Sequence, residues 1–247
     1  MKDKLPILIF GDSHMRFFTD TPMIKRATKE LSDLVSFNCS VIHGASVIGL
    51  GRRQTHLNVR EIIESSSSIE SVCVLNFGQV DLELGYFYRR VVKKESLNYY
   101  DWIESLIEAF LSFVHDIKPL FKVIVVKGVN PPAIKNTDLM VTYASRIVLE
   151  NLSHEPERKD SLNHLRKIMP DVLTRTLVAK HFNRLLQQSM NGVDVLYFDI
   201  LDDLIDDNGI ISDKFVPANF DHHLADSLYL RKLHRISLVK VLTPYLI

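Results

Sequence analysis

Residues 7–14, Ile7-Leu8-Ile9-Phe10-Gly11-Asp12-Ser13-His14, decide how this chain is read. The first four are bulky and apolar without alternation, the pattern of a strand covered on both faces. Gly-Asp-Ser-His ends the run abruptly, so reactive side chains stand at the carboxyl end of a buried strand. Four more short runs rich in β-branched residues read the same way: Val35–Ile42, Ser71–Phe77, Lys122–Val129 and Val193–Ile200. Between the strands the spacing predicts helices. Ile103, Leu106, Ile107, Phe110 and Val114 recur at helical spacing over Asp101–Lys118. Asp101, with Glu104, is expected to cap that helix and Pro119 to stop it. A second helix is expected over Asp171–Met190, with Val178, Phe182 and Leu185 on one face and Gly192 past its end. A last one is expected over Ala225–Val241.

Strands alternating with helices imply βαβ units, hence an α/β fold with three α/β/α layers around a five-stranded parallel sheet. The expected strand order is 2-1-3-4-5, which brings the rim residues together beside strand one. At 247 residues the chain reads as one domain, 1–247. The stretch 131–170 reads as an irregular insertion, a lid or an elaborated surface loop. It is polar, carries the charged run Glu155–Asp160 and exceeds a usual connection.

Composition narrows the function. Lys+Arg and Asp+Glu number 30 each, so net charge is zero and the cation surplus of a bulk nucleic-acid binder is missing. The chain has no apolar stretch near the roughly 20 residues of a membrane span. Ile7–Phe10 is too short for the hydrophobic region of a signal peptide. Cys39 and Cys73 sit in apolar runs and read as reduced thiols rather than a disulfide. A cytoplasmic, reducing location is the expectation.

Open α/β sheets bind ligands beyond the carboxyl ends of their strands. The groups there are, in order, Gly11-Asp12-Ser13-His14, His43-Gly44-Ala45-Ser46, Gly78-Gln79-Val80-Asp81, Asn130-Pro131-Pro132 and, after a further loop, Phe220-Asp221-His222-His223-Leu224. A serine, glycines, amides and an acid–histidine pair on one rim are what acyl transfer needs: nucleophile, base, orienting acid and oxyanion donors.

These blocks resemble those of the SGNH, or GDSL-like, hydrolase superfamily of serine esterases and O-acyltransferases. Ile9-Phe10-Gly11-Asp12-Ser13-His14 resembles the nucleophile block, Gly44 the second-block glycine, Gly78-Gln79-Val80-Asp81 the third block and Asp221 to Leu224 the last. Pro131-Pro132 and Phe182-Asn183 are weaker echoes. The resemblance spans nearly the whole chain and implies a flavodoxin-like strand order. It implies Ser13 as nucleophile, His223 as base, Asp221 as orienting acid, and Gly44, Gln79 and Asn130 as oxyanion or substrate contacts. His223 is preferred to His222 because Leu224 follows it. Asp12 and Asp81 are expected to hold their loops, and His14 to pack.

Two departures stand out. Val80 occupies the position of the family's asparagine oxyanion donor and has no side-chain hydrogen bond to give. Asp221 precedes His223 by two residues rather than three. The implied substrate is a small-molecule or glycan ester, with an acyl donor such as acyl-CoA if the reaction is transfer. No metal and no cofactor is expected. A non-catalytic glycan- or acyl-binding scaffold is the alternative, and a metal phosphoesterase a weaker one, because no His/Asp cluster has ligand spacing along the chain. Tyr86-Phe87-Tyr88-Arg89-Arg90 with Lys93-Lys94 reads either as a grip for a sugar or phosphate or as a solvated helix face. Gly49-x-Gly51-Arg52-Arg53 is too weak a pattern for a nucleotide loop.

Overall fold

The structure is a computed structural model and describes residues 4–52 and 56–246. Arg53 of the glycine–arginine pattern lies outside the described residues, as does the extreme amino terminus.

The chain forms β1 (Leu5–Gly11), a 3-10 turn over Ser13–Phe18, α1 (Pro22–Ala27), α2 (Lys29–Leu34), β2 (Val35–Val41), α3 (Val47–Leu50), α4 (Val59–Ser65) and β3 (Val72–Asn76). Two π-type segments follow, Asp81–Gly85 and Tyr88–Val92, then α5 (Tyr99–Ile117) and β4 (Val123–Lys127). The remainder is α6 (Thr137–Val148), α7 (Glu155–Ile168), α8 (Val172–Asn191), β5 (Leu196–Phe198), α9 (Leu201–Leu204) and α10 (Leu228–Leu242). The five strands form one parallel sheet in the order β2-β1-β3-β4-β5. This is the expected three-layer α/β/α arrangement.

The layers follow from the two-residue period of the strands. Ile7, Ile9, Val72, Val74 and Val125 join one buried cluster with Leu238, Val239 and Leu242 of α10. Phe10, Cys73, Leu75, Ile124 and Val126 join another with Ile103 and Phe110 of α5 and Phe182 and Leu186 of α8. β1 and β3 are therefore covered on both faces, which is why they read as continuous apolar runs. β2 lies at the sheet edge and is mostly half-exposed. Accordingly Cys39 on β2 is only partly covered while Cys73 on β3 is fully buried; both are free thiols. Burial pushes the Cys39 thiol up to about 12. Among the described residues no helix is long and apolar enough to cross a membrane.

Several expectations shift. The α5 cap is Asn98, not Asp101: the Asn98 side chain accepts the Asp101 N–H at 3.0 Å and donates to its carboxylate at 2.7 Å. The capping pair is therefore Asn98 with Asp101, three residues earlier than expected. Strand five is shorter than expected because Asp194, with φ of 53°, and the Val195 N–H to the Met190 carbonyl still belong to the turn that ends α8. The last helix begins at Leu228, where Ser227 caps the Leu230 N–H. The stretch 131–170 is not irregular, since it carries α6 and α7. The Asn136 side chain caps α6, which buries Met140, Val141, Ala144 and Val148. α7 buries only Ser161 and Leu165, so it leaves almost no apolar periodicity to read.

Candidate active site

Gly11 ends β1 between β2 and β3, opposite Val41 and Asn76. A Cβ there would stand 2.5 Å from the Asn76 carbonyl oxygen, so only glycine lets the chain turn this close to its neighbour. Asp12, fully buried, caps the 3-10 turn by accepting the His14 N–H at 2.9 Å. Burial pushes its pKa up to about 7, and its Oδ2 has no partner among the described residues. Asp12 therefore supports the turn that presents Ser13, as expected.

Ser13 Oγ lies 2.7 Å from His223 Nε2, and His223 Nδ1 lies 2.7 Å from Asp221 Oδ1. The two-residue spacing is resolved locally. Asp221 Oδ1 also accepts the His223 backbone N–H at 3.0 Å, so a short Asx turn folds the carboxylate back onto the ring it would otherwise miss. Arg16 anchors this loop to the 3-10 turn, donating to the Leu224 carbonyl at 2.9 Å and standing 3.9 Å from Asp221. Burial works to raise the Asp221 pKa, but the two His223 hydrogen bonds and the nearby histidines hold it below its ordinary value. Burial lowers His223, and the Asp221 contact only partly opposes this. The aspartate does not win, which reverses the simple expectation that it raises this imidazole.

Gly44 sits in the exposed turn after β2 with φ of +73°, a conformation that favours glycine. Among the described residues, the N–H groups of Ser13 and Gly44 have no acceptor. Asp81 ties this turn region to the third block: its Oδ2 accepts the Val47 N–H at 2.7 Å, and burial raises it to about 6.

Gln79 departs from its expected role. Its amide donates to Glu83 at 2.7 Å and to the Asn130 carbonyl at 3.2 Å, and its Oε1 accepts the Asn130 N–H at 2.8 Å. Both of its amide hydrogens are engaged, so it clamps the β4 loop and has no donor for a substrate oxygen. Asn130 is held on its other side by Lys127 Nζ at 3.0 Å, which leaves Asn130 Nδ2 buried and without a partner among the described residues. Lys127 is itself buried, and burial lowers its pKa to about 8. A second lysine, Lys127, following four apolar residues inside the run Lys122–Val129 is the sequence signal for this role. Asn183 brackets Val129, accepting its N–H at 2.8 Å and donating to its carbonyl at 3.0 Å.

One further side chain was invisible to sequence reading. Tyr143, on α6, stacks on His222 at 4.6 Å between ring centroids. It also meets Phe220 edge-on at 6.4 Å, and Arg146 stands 5.8 Å from the Phe220 ring. The stretch 131–170 thus supplies a wall beside the acid–histidine loop. A tyrosine in an amphipathic helix carries no signal of such a role. His14 packs its ring 4.6 Å from that of His223 and 5.2 Å from that of His222. The three histidines offer ring nitrogens within 4.8 Å of one another, the composition of a metal site. The expectation that no such cluster exists holds along the chain but fails in space, because the fold joins residue 14 to residues 222 and 223.

Part of the basic and aromatic cluster is tied into the fold. Arg90 donates to the Leu97 carbonyl and Tyr86 stacks on Tyr99 at 3.8 Å, while Arg89 pairs with Glu95 at 2.6 Å. A groove of about 730 Å³ lined by Arg90, Lys94, His154, Glu157 and His164 shares no residue with the Ser13 constellation.

No protein-family model and no curated protein matches the sequence. Solved structures do match in fold. A candidate acylhydrolase of Bacteroides fragilis superposes with a TM-score of 0.54 at 11% identity, over 100% of this chain and 90% of that chain. A GDSL-like lipase of Bacteroides thetaiotaomicron gives 0.52 at 10% identity, over 97% and 88%. A catalytic mutant of an acetylxylan esterase from Geobacillus stearothermophilus gives 0.54 at 13% identity, over 98% and 96%. The chain therefore shares its fold with these three proteins.

Proposed function

We propose that the protein is a serine-dependent ester hydrolase acting on O-acylated carbohydrate. The observation that carries this reading is the hydrogen-bond line from Ser13 through His223 to Asp221, 2.7 Å at each joint. Ser13 attacks the ester carbonyl. His223 Nε2 takes the Ser13 proton and delivers it to the leaving alcohol oxygen, then activates water to release the acyl group. Asp221 accepts from Nδ1–H, fixing the tautomer and stabilising the imidazolium as it forms. The unspent N–H groups of Ser13 and Gly44 receive the oxyanion. Val80 contributes no side-chain donor, a shortfall of about 3–4 kcal/mol in mechanisms that use one.

The carbohydrate part rests on two supports. Phe220 is 45% exposed beside the acid–histidine loop, with Tyr143 edge-on to it. An aromatic face on the rim suits the apolar face of a sugar ring. The Geobacillus protein of the same fold is an acetylxylan esterase.

A fluorophosphonate probe tests the nucleophile directly. It should label the native protein once, on the peptide that contains Ser13. Labelling elsewhere, or none in folded protein, overturns the reading.

The electrostatics set a second expectation. The base acts when neutral, and burial holds His223 below the ordinary histidine value of about 6.5. The neutral form therefore persists to lower pH, and kcat/KM should fall only as pH drops through that lowered value. The acid limb, measured with a chelator present, should lie below 6.5. A limb above it would show that Asp221 outweighs burial after all.

A further inference from the structure

We propose that His14, His222 and His223 form a transition-metal site, and that a metal bound there and Ser13 compete for the same imidazole. The site rests on geometry and composition. The three rings bring ligand nitrogens within 4.8 Å of one another. A tetrahedral zinc with Zn–N bonds of about 2.0–2.1 Å holds its nitrogens roughly 3.3 Å apart, so closing the cluster asks each ring to move by under about 1 Å. Imidazole nitrogens suit zinc, copper and nickel rather than magnesium or calcium.

His14 supplies an independent observation. It is 2% exposed, and among the described residues no hydrogen bond reaches its ring, only its backbone N–H. Its ring stands against both other histidines. The surroundings are also those of a metal histidine. A ligating histidine commonly donates its second ring nitrogen to a carboxylate, which fixes the ring and raises its basicity. Here Asp221 lies 2.7 Å from His223 Nδ1 and 3.4 Å from His222 Nδ1. With Nδ1 held by Asp221, Nε2, the nitrogen that faces Ser13, is the one His223 has left to offer a metal.

The consequence is exclusive use of one lone pair. Zinc on His223 Nε2 leaves Ser13 without an acceptor for its proton, and the Asp221 hydrogen bond survives. Three imidazoles leave a fourth position for water or for Ser13 Oγ. The inhibition half of this proposal rests on the esterase reading, and the binding half does not.

Zinc ion alone is the probe. The metal-free protein should take up one Zn²⁺ in competition with a chromophoric chelator. His222→Ala, on a partly exposed loop, should weaken uptake by more than the roughly 10–100-fold that losing an outer partner of a ligand costs. His14→Asn should do the same, and should it fail to fold, His222→Gln serves as the second variant. Zinc should block fluorophosphonate labelling of Ser13, and a chelator should restore it. Equal uptake by wild type and both variants overturns the site. Zinc bound at the site with Ser13 still labelled, or zinc-stimulated turnover, overturns the competition. If Ser13 is never labelled, the esterase reading falls and the uptake experiment alone decides the metal site.

Discussion

Ser13→Ala is expected to lower turnover of an aryl acetate by about 10⁴-fold or more, since removing a nucleophile leaves only binding and oxyanion stabilisation. The fold should survive. Ser13 begins a turn whose cap is the Asp12 carboxylate, so the substitution leaves the capping bond intact. What is lost is one half-buried hydrogen bond to His223, worth about 1 kcal/mol. The thermal midpoint should therefore move by only a few degrees. Unchanged turnover in a folded Ser13→Ala protein would remove the nucleophile assignment, and with it the covalent mechanism.

The second large effect separates two adjacent histidines. His223→Ala should cost about as much as Ser13→Ala, because nucleophile and base act as one unit and their losses do not add. His222→Ala should cost less than about tenfold. His222 stacks on Tyr143 and lies 3.4 Å from Asp221, but it makes no hydrogen bond to Ser13 among the described residues. Asp221→Asn should cost about 10³–10⁴-fold if the carboxylate sets the tautomer. A modest effect of Asp221→Asn would mean that Ser13 and His223 work as a dyad. The reverse ranking of the two histidines would place the base at His222. Steady-state kinetics on the single variants and the Ser13→Ala/His223→Ala double variant read out all of these, the double variant being expected to equal either single.

The sheet was legible because β1, β3 and β4 are covered on both faces, so burial leaves an unbroken apolar signature in the chain itself. The order of polar blocks at the strand ends was legible for the same reason: once each strand is found, the residue after it is fixed. Asp12 and Asp81 hold their loops as expected, the one through the His14 N–H and the other through the Val47 N–H. The helix α7 was not legible, since a helix that buries two side chains writes no periodicity.

Sequence by itself determined the local chemistry of this protein: strands, the turn after β1, and a serine, an acid and histidines held on short loops. Those features depend on neighbours a few residues away. The relations across long separations were decided by the tertiary structure. Only folding brings His223 to Ser13, seals Gln79 against Asn130, and lays Tyr143 over His222. Only burial decides that His223 sits below rather than above its ordinary pKa, because desolvation depends on every element packed around the ring and not on its sequence neighbours.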